Sequence, residues 1–304
     1  MGIIVCGMMC RFGNIMNDLL YKKGTRVRHS IKDEWGIGEI IENRAGTITV
    51  FFIGEGLKIL SDEYSHLLIE IPKKDSDHPV LDNLVVINES KEIRYQSLPL
   101  SIEIFLDKMP NGFYGERFLD EERNYKYEAH QLSQEILSKD NFSELLLNNN
   151  YQEITKRALS LVNKTNLIFP QEKMALKDGL KKPELESEFS KTLFDLLYGE
   201  SELKDRFEKF IFILEEIDAL KWPIASYFLY IHFPEKYMFV KPKITKKTAE
   251  LCGWNIKYQT KPNWVTYKSI IALSKYIFSE LSDLKPRDMI DIQSFLWCIE
   301  PGKK

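Results

Sequence analysis

The chain is poor in the residues that staple or anchor a fold. Its four cysteines, Cys6, Cys10, Cys252 and Cys298, include no CxxC pair, so reduced thiols in a cytoplasmic protein are expected in place of a disulfide framework or a zinc site. No run of about 18 apolar residues is present, which argues against a helical membrane span. The histidines at 29, 66, 78, 130 and 232 have no HxH or HExxH spacing, and no metal or other cofactor is expected. GxxxxGK(S/T), GxGxxG and GxSxG are missing as well, which speaks against nucleotide-driven motors and the common hydrolases. A charge excess is also lacking: 42 Lys and Arg face 45 Asp and Glu, leaving −3. A polyanion partner would therefore have to be met by local clustering.

What is present is enough chain for two domains: 304 residues, 44% of them hydrophobic. Met1–Ile15 is apolar, with Arg11 after the apolar stretch, the reverse of a secretory signal. Met16-Asn17-Asp18 then opens an ordinary polar start. The leader, 1–21, is read as disordered or as the product of a misplaced start codon, without function.

From 24 to 71 the pattern is that of strands. Val27, Ile37, Ile40, Ile48, Val50 and Phe52 lie in short runs broken by Gly36, Gly38, Gly46, Gly54 and Gly56. Thr47-Ile48-Thr49-Val50 alternates apolar and polar faces. Five such strands with tight turns can bury one small core by closing on themselves, and the glycines beside Trp35 permit sharp bending or close backbone approach. Pro72 to Pro79 reads as a linker, and 80–106 holds further strand-like pieces, Leu84-Val85-Val86-Ile87 and Ile102-Glu103-Ile104-Phe105. From Glu116 the apolar period turns helical, and Trp222-Pro223 opens a new element; the last two helices are expected over Thr266–Leu281 and Pro286–Ile299. The domain plan is thus a barrel over 22–72, a β-containing connector over 73–115 and a mainly helical domain over 116–304.

Residues 233–268 form the strongest candidate surface. Eight lysines (236, 241, 243, 246, 247, 257, 261 and 268) meet only Glu235 and Glu250 there, interleaved with Phe233, Tyr237, Phe239, Trp254, Tyr258, Trp264 and Tyr267. Lysines neutralise phosphates and aromatic faces stack on unpaired bases, which nominates Lys241, Lys243, Lys246, Lys247, Lys257, Lys261, Tyr258 and Trp264 for nucleic-acid binding. The same pattern also fits buried aromatics beneath a solvated lysine face. Lys22, Lys23, Arg26 and Arg28 form a second basic cluster at the barrel entrance, suited to a nucleic acid, an acidic protein surface or plain solubility. Trp35 is the best single contact residue of the barrel, with core closure as its rival role. Asp288 and Asp291, at i, i+3 after Pro286-Arg287, suit helix capping better than metal-dependent hydrolysis. Glu121-Glu122-Arg123 with Lys126 reads as a salt-bridged helical face.

The segment Trp35-Gly36-Ile37-Gly38-Glu39-Ile40-Ile41, followed by Val50-Phe51-Phe52 and Gly56-Leu57-Lys58, resembles bacterial Tudor-like or SH3-like small barrels. These include the RNA-polymerase-binding barrel of CarD-type regulators and the Tudor-like tail of some bacterial helicases. The resemblance covers about one sixth of the chain. It implies a module that touches a protein partner in transcription or DNA repair, with no catalytic role; Trp35, Arg26 and Arg28, nominated by their own chemistry, are the partner-binding candidates. Farther on, Trp222-Pro223-Ile224-Ala225, Pro262-Asn263-Trp264 and Asp288-Met289-Ile290-Asp291 resemble segments of uncharacterised bacterial proteins, some plausibly linked to mobile-element or anti-phage loci.

The reading is an α+β protein, an N-terminal SH3/Tudor-like small β-barrel followed by a mainly α-helical domain. Its expected function is that of a non-catalytic bacterial adaptor for nucleic acid or a nucleic-acid-processing protein, without membrane contact. Two alternatives stand beside it: a component, enzymatic or not, of a phage-defence or mobile-element system, and a structural oligomeric module.

Overall fold

A computed structural model describes residues 21–44, 46–85 and 95–300. The leader therefore lies outside the described residues, except for Tyr21, and so do Cys6, Cys10 and the Val86-Ile87 part of one strand-like piece. The chain divides into two compact units. One holds the described residues up to Ile102 together with Ala249–Asn255; the other holds Glu103–Thr248 and residues 256–300.

The first unit is built on five antiparallel strands, β1 (Arg26–His29), β2 (Ile37–Arg44), β3 (Thr47–Phe52), β4 (Gly56–Ser61) and β5 (Leu68–Glu70). Their order is β4-β3-β2-β1-β5. Period-2 alternation does what it promises: Ile48 and Val50 are buried while Thr47 is exposed. A bulge between Ile40 and Glu42 interrupts the β2–β3 register and bends the sheet. One face then encloses Val27, Ile40, Ile48, Val50, Phe52 and Leu68. Tyr21 joins this core, its hydroxyl shared between the carbonyls of Ser65 and Leu68 at 3.0 and 2.9 Å, so the residue assigned to the end of the leader belongs to the β unit. Gly38 is required by close approach, since a Cβ there would sit 2.6 Å from the Phe52 ring.

Phe51 points the other way and is also buried, 4.7 Å from the ring of Tyr95. The returning segment 249–255 lies beside it. Leu84 pairs with Trp254 in an isolated bridge, the Val85 N–H donates to Gly253 O at 3.0 Å, and the Gln96 N–H donates to Leu251 O at 2.9 Å. Residues expected as strand around Ile102–Phe105 instead form a helix. After a short α1 (Pro79–Asp82) comes α2 (Leu98–Lys108), whose buried positions Ser101 and Phe105, continued by Met109, recur every four residues. That spacing, not the local Ile102/Ile104 alternation, sets the period.

In the second unit α3 (Glu116–Phe118) runs through a π turn, Leu119–Arg123, into α4 (Asn124–Ile136). There follow α5 (Lys139–Leu147), α6 (Tyr151–Asn163), α7 (Pro170–Gly179), α8 (Pro183–Tyr198), α9 (Leu203–Glu216), α10 (Trp222–His232), α11 (Pro242–Leu251), α12 (Trp264–Glu280) and α13 (Met289–Cys298). Every residue of α10 is buried, as an all-round apolar helix must be, and Pro223 occupies its first turn. Phe105, Phe113, Phe118 and Phe295 form a separate aromatic cluster with centroids 4.9 to 5.9 Å apart. Among the described residues no helix is long and apolar enough to cross a membrane.

Candidate nucleic-acid interface

The lysine-rich segment folds with most of its aromatics turned inward. Phe239, Trp254 and Tyr267 are buried; Tyr267 stacks on Phe207 at 4.5 Å and donates to Met238 O at 3.2 Å. Trp264 and Tyr258 are half-buried. Trp264 leans on Phe207 and Tyr267 at 6.1 and 6.3 Å, and Tyr258 on Trp222 at 6.3 Å. Stacking on an unpaired base would therefore be limited to the part of each ring left exposed.

The lysines divide into two groups. Lys247 is held by Glu300 at 2.5 Å and Lys261 by Glu215 at 2.6 Å, so both surface ammonium groups are paired. Lys243, Lys246 and Lys257 are exposed, the last on a turn with φ +50°. The Lys246 ammonium lies 5.0 Å from the Tyr258 ring, bringing together two of the nominated residues. Lys241 takes a position that nothing local to it foretold. Its ammonium sits between the rings of Phe169 and Trp297, 4.6 and 5.2 Å from their centroids. Phe169 precedes α7 and Trp297 lies in α13, so only folding assembles this arrangement. Phe169 is 54% exposed and Met174, on the first turns of α7, 63%. Burial lowers the Lys241 ammonium's pKa from its ordinary value, an effect partly opposed by Glu172.

In the β unit, Trp35 ends a 3-10 turn and takes the core-closing role only in part. It packs against the core cluster, 5.1 Å from Phe52 and 4.8 Å from His29, yet stays half-exposed, with the Lys58 ammonium 5.4 Å from its ring. Arg26 is engaged internally, 2.9 Å from both Glu39 and Asp82, whereas Arg28 is exposed.

The carboxylates that would suit hydrolysis are committed elsewhere. Asp288 caps α13, accepting from the N–H of Ile290 at 2.9 Å, and also receives Arg123 at 2.9 and 2.8 Å. Asp291 is fully buried and accepts from Arg123 at 2.7 Å and from the Arg287 side chain at 2.9 Å. The segment read as a salt-bridged helical face carries that ion pair, on a face turned to the interior. Lys126 does bond Glu122 at 2.8 Å, but Lys126 and Arg123 are buried, and Lys126 also donates to Ser294 at 2.8 Å.

A second polar chain, missed by sequence reasoning, centres on His232 in α10. Tyr198 Oη donates to Leu137 O at 2.6 Å, so its 2.7 Å contact with His232 is donated by Nε2–H. Nδ1 must then accept the Ser133 hydroxyl at 2.6 Å. Burial pushes the imidazole down to about 4, which keeps it neutral. Cys252 and Cys298 are free thiols pushed up to about 12 by burial, hence poor nucleophiles. Among the described residues no group of three or more His, Cys, Asp and Glu is placed to hold a metal ion.

A family described as a protein of unknown function (DUF3553) matches residues 21–69, the span of the five strands. Neither the curated proteins nor the solved structures contain a match to the chain.

Proposed function

We propose that this protein is a non-catalytic adaptor that binds nucleic acid through its helical unit and a protein partner through its β unit. The observation that carries the reading is the placement of Lys241 between exposed Phe169 and half-buried Trp297, in a segment where Lys243 and Lys246 are also exposed. Partly exposed aromatic rings next to lysines without ion pairs among the described residues suit a single strand, whose bases offer π faces and whose phosphates attract cations. The engagement of Asp288 and Asp291 by arginines supports a role without hydrolysis. For the β unit, the resemblance to Tudor-like and CarD-type small barrels favours a protein contact at Trp35 and Arg28, while Arg26 acts as an internal brace.

The test is salt-dependent binding of labelled single-stranded and duplex DNA and RNA. The wild type is compared with a variant carrying Lys241, Lys243, Lys246 and Lys247 all changed to Ala, and with Phe169→Ala. Affinity should fall steeply with salt, and single-strand affinity should drop at least tenfold in the quadruple variant and severalfold in Phe169→Ala. Salt-independent binding, or none in the wild type, overturns the reading.

A further inference from the structure

The second basic cluster of the β unit acquires partners that its sequence position does not suggest. The β1–β5 ladder pairs Val27 with Glu70, and the Ile71 N–H extends it to Arg26 O at 2.9 Å. Continuing that register sets the turn at 22–25 beside 72–74. Lys22 and Lys23 thereby meet Lys73 and Lys74 around one open groove of about 910 Å³. All four lysines are exposed, and none forms an ion pair among the described residues.

The groove floor is fixed. Arg26 is pinned by Glu39 and Asp82, each at 2.9 Å, and donates to Ser76 O at 3.3 Å. With Asp82 so occupied, the four lysines face Glu70 and Asp77 as the remaining acids of the lining. The lining thus carries five cationic side chains against three acidic ones, an excess brought close by folding that an anion would relieve.

The lining chemistry selects which anion. Ile71 is the only large apolar side chain and there is no aromatic residue. The groove therefore has no anchor pocket of the kind that carries a peptide interface and no ring on which an unpaired base stacks. The one guanidinium, which would grip a planar carboxylate, is already held by two carboxylates and a carbonyl, leaving the lysines as point charges suited to phosphate oxygens.

We propose that this groove is a second nucleic-acid site, which takes the phosphate backbone of a duplex without reading its bases. It is separate from the lysine–aromatic surface of the helical unit and does not depend on it.

The experiment uses the full chain and a labelled duplex of mixed sequence, titrated over a range of salt. Changing Lys22, Lys23, Lys73 and Lys74 all to Ala should weaken duplex binding at least tenfold at low salt and lower the log–log salt slope by about 3. The matching all-Arg variant should keep both, which separates charge from folding. Single-strand binding that depends on Lys241 should persist in the all-Ala variant; its loss in the Lys241 quadruple variant, with duplex binding intact, would show the two sites to be independent. Duplex binding with unchanged affinity and slope in the all-Ala variant overturns the proposal, as does absence of duplex binding in the wild type. It is equally overturned if the all-Ala change abolishes binding of a labelled poly-glutamate peptide but not of the duplex, which would make the site one for acidic protein.

Discussion

The two units differ in how deeply their cations are engaged. In the helical unit the charge is drawn inward: Arg123 and Lys126 are buried, tied to Asp288, Asp291, Glu122 and Ser294. Even on its surface, Lys247 and Lys261 are paired with glutamates. In the β unit a single arginine is braced inside, and four lysines around one groove are left without ion pairs among the described residues. The density of lysine along the chain is thus a poor guide to available charge. The segment with eight lysines yields fewer unpaired ones than its composition promises, and two distant pairs yield a cluster, because pairing is decided by which carboxylates the fold brings within reach.

The contrast breaks most sharply at Asp291. If the buried charges of the helical unit are mutually dependent, Asp291→Ala leaves Arg123 without its deepest partner and should lower stability by about 3–5 kcal/mol in urea unfolding. A loss under about 1 kcal/mol would mean that water replaces the carboxylate and that the cluster is not sealed.

Next comes the pH response of the same unit. His232 titrates near 4 in the folded protein instead of 6.5, so as pH falls the unfolded chain takes up its proton first. The stabilisation is complete above about 6.5 and is lost on going down to about 4, amounting to about 3 kcal/mol. Chemical denaturation at stepped pH should show this decline, and His232→Gln should remove it. In the wild type at neutral pH, the imidazole resonances should report the Nε2–H tautomer.

In the β unit the corresponding test is steric. Gly253 has φ +69°, and a Cβ there would lie 3.2 Å from Phe51 and 3.3 Å from Tyr95. Gly253→Ala should cost about 1–2 kcal/mol and increase hydrogen exchange at Val85, whose N–H is bonded to Gly253. The smallest effect is expected at Arg26, whose side chain keeps 14% exposure. Arg26→Ala should cost about 1 kcal/mol, well below Asp291→Ala, and an equal cost would erase the distinction between an inward-charged unit and an outward-charged one.

Much of the fold was legible because it follows from local period and turn chemistry. The alternation at Thr47–Val50, the glycines at 36 and 38, the proline opening α10 and the carboxylate capping α13 each act over a few residues. The failures were of the opposite kind. Around Ile102–Phe105 two isoleucines two apart suggested a strand, while the packed positions were four apart. At Arg123 and Lys126 the helical pairing held, but their burial against Asp288, Asp291 and Ser294 depends on partners more than 160 residues away. Of the candidate surface, the lysines were legible, but neither the rings of Phe169 and Trp297 around Lys241 nor the hydrogen-bonded chain through His232 left any mark, since their members lie 55 or more residues apart in the first case and about 100 at the widest in the second.

The sequence by itself determined the α+β plan: β-branched alternation with glycine turns makes a small sheet, and apolar residues at helical spacing make a helical unit, because both periods are properties of the backbone. Tertiary structure alone decided which charges remain available. An ion pair depends on distance between side chains, and the distances that matter, from Arg123 to Asp291 or from Lys22 to Lys73, are set by packing and strand register rather than by separation along the chain.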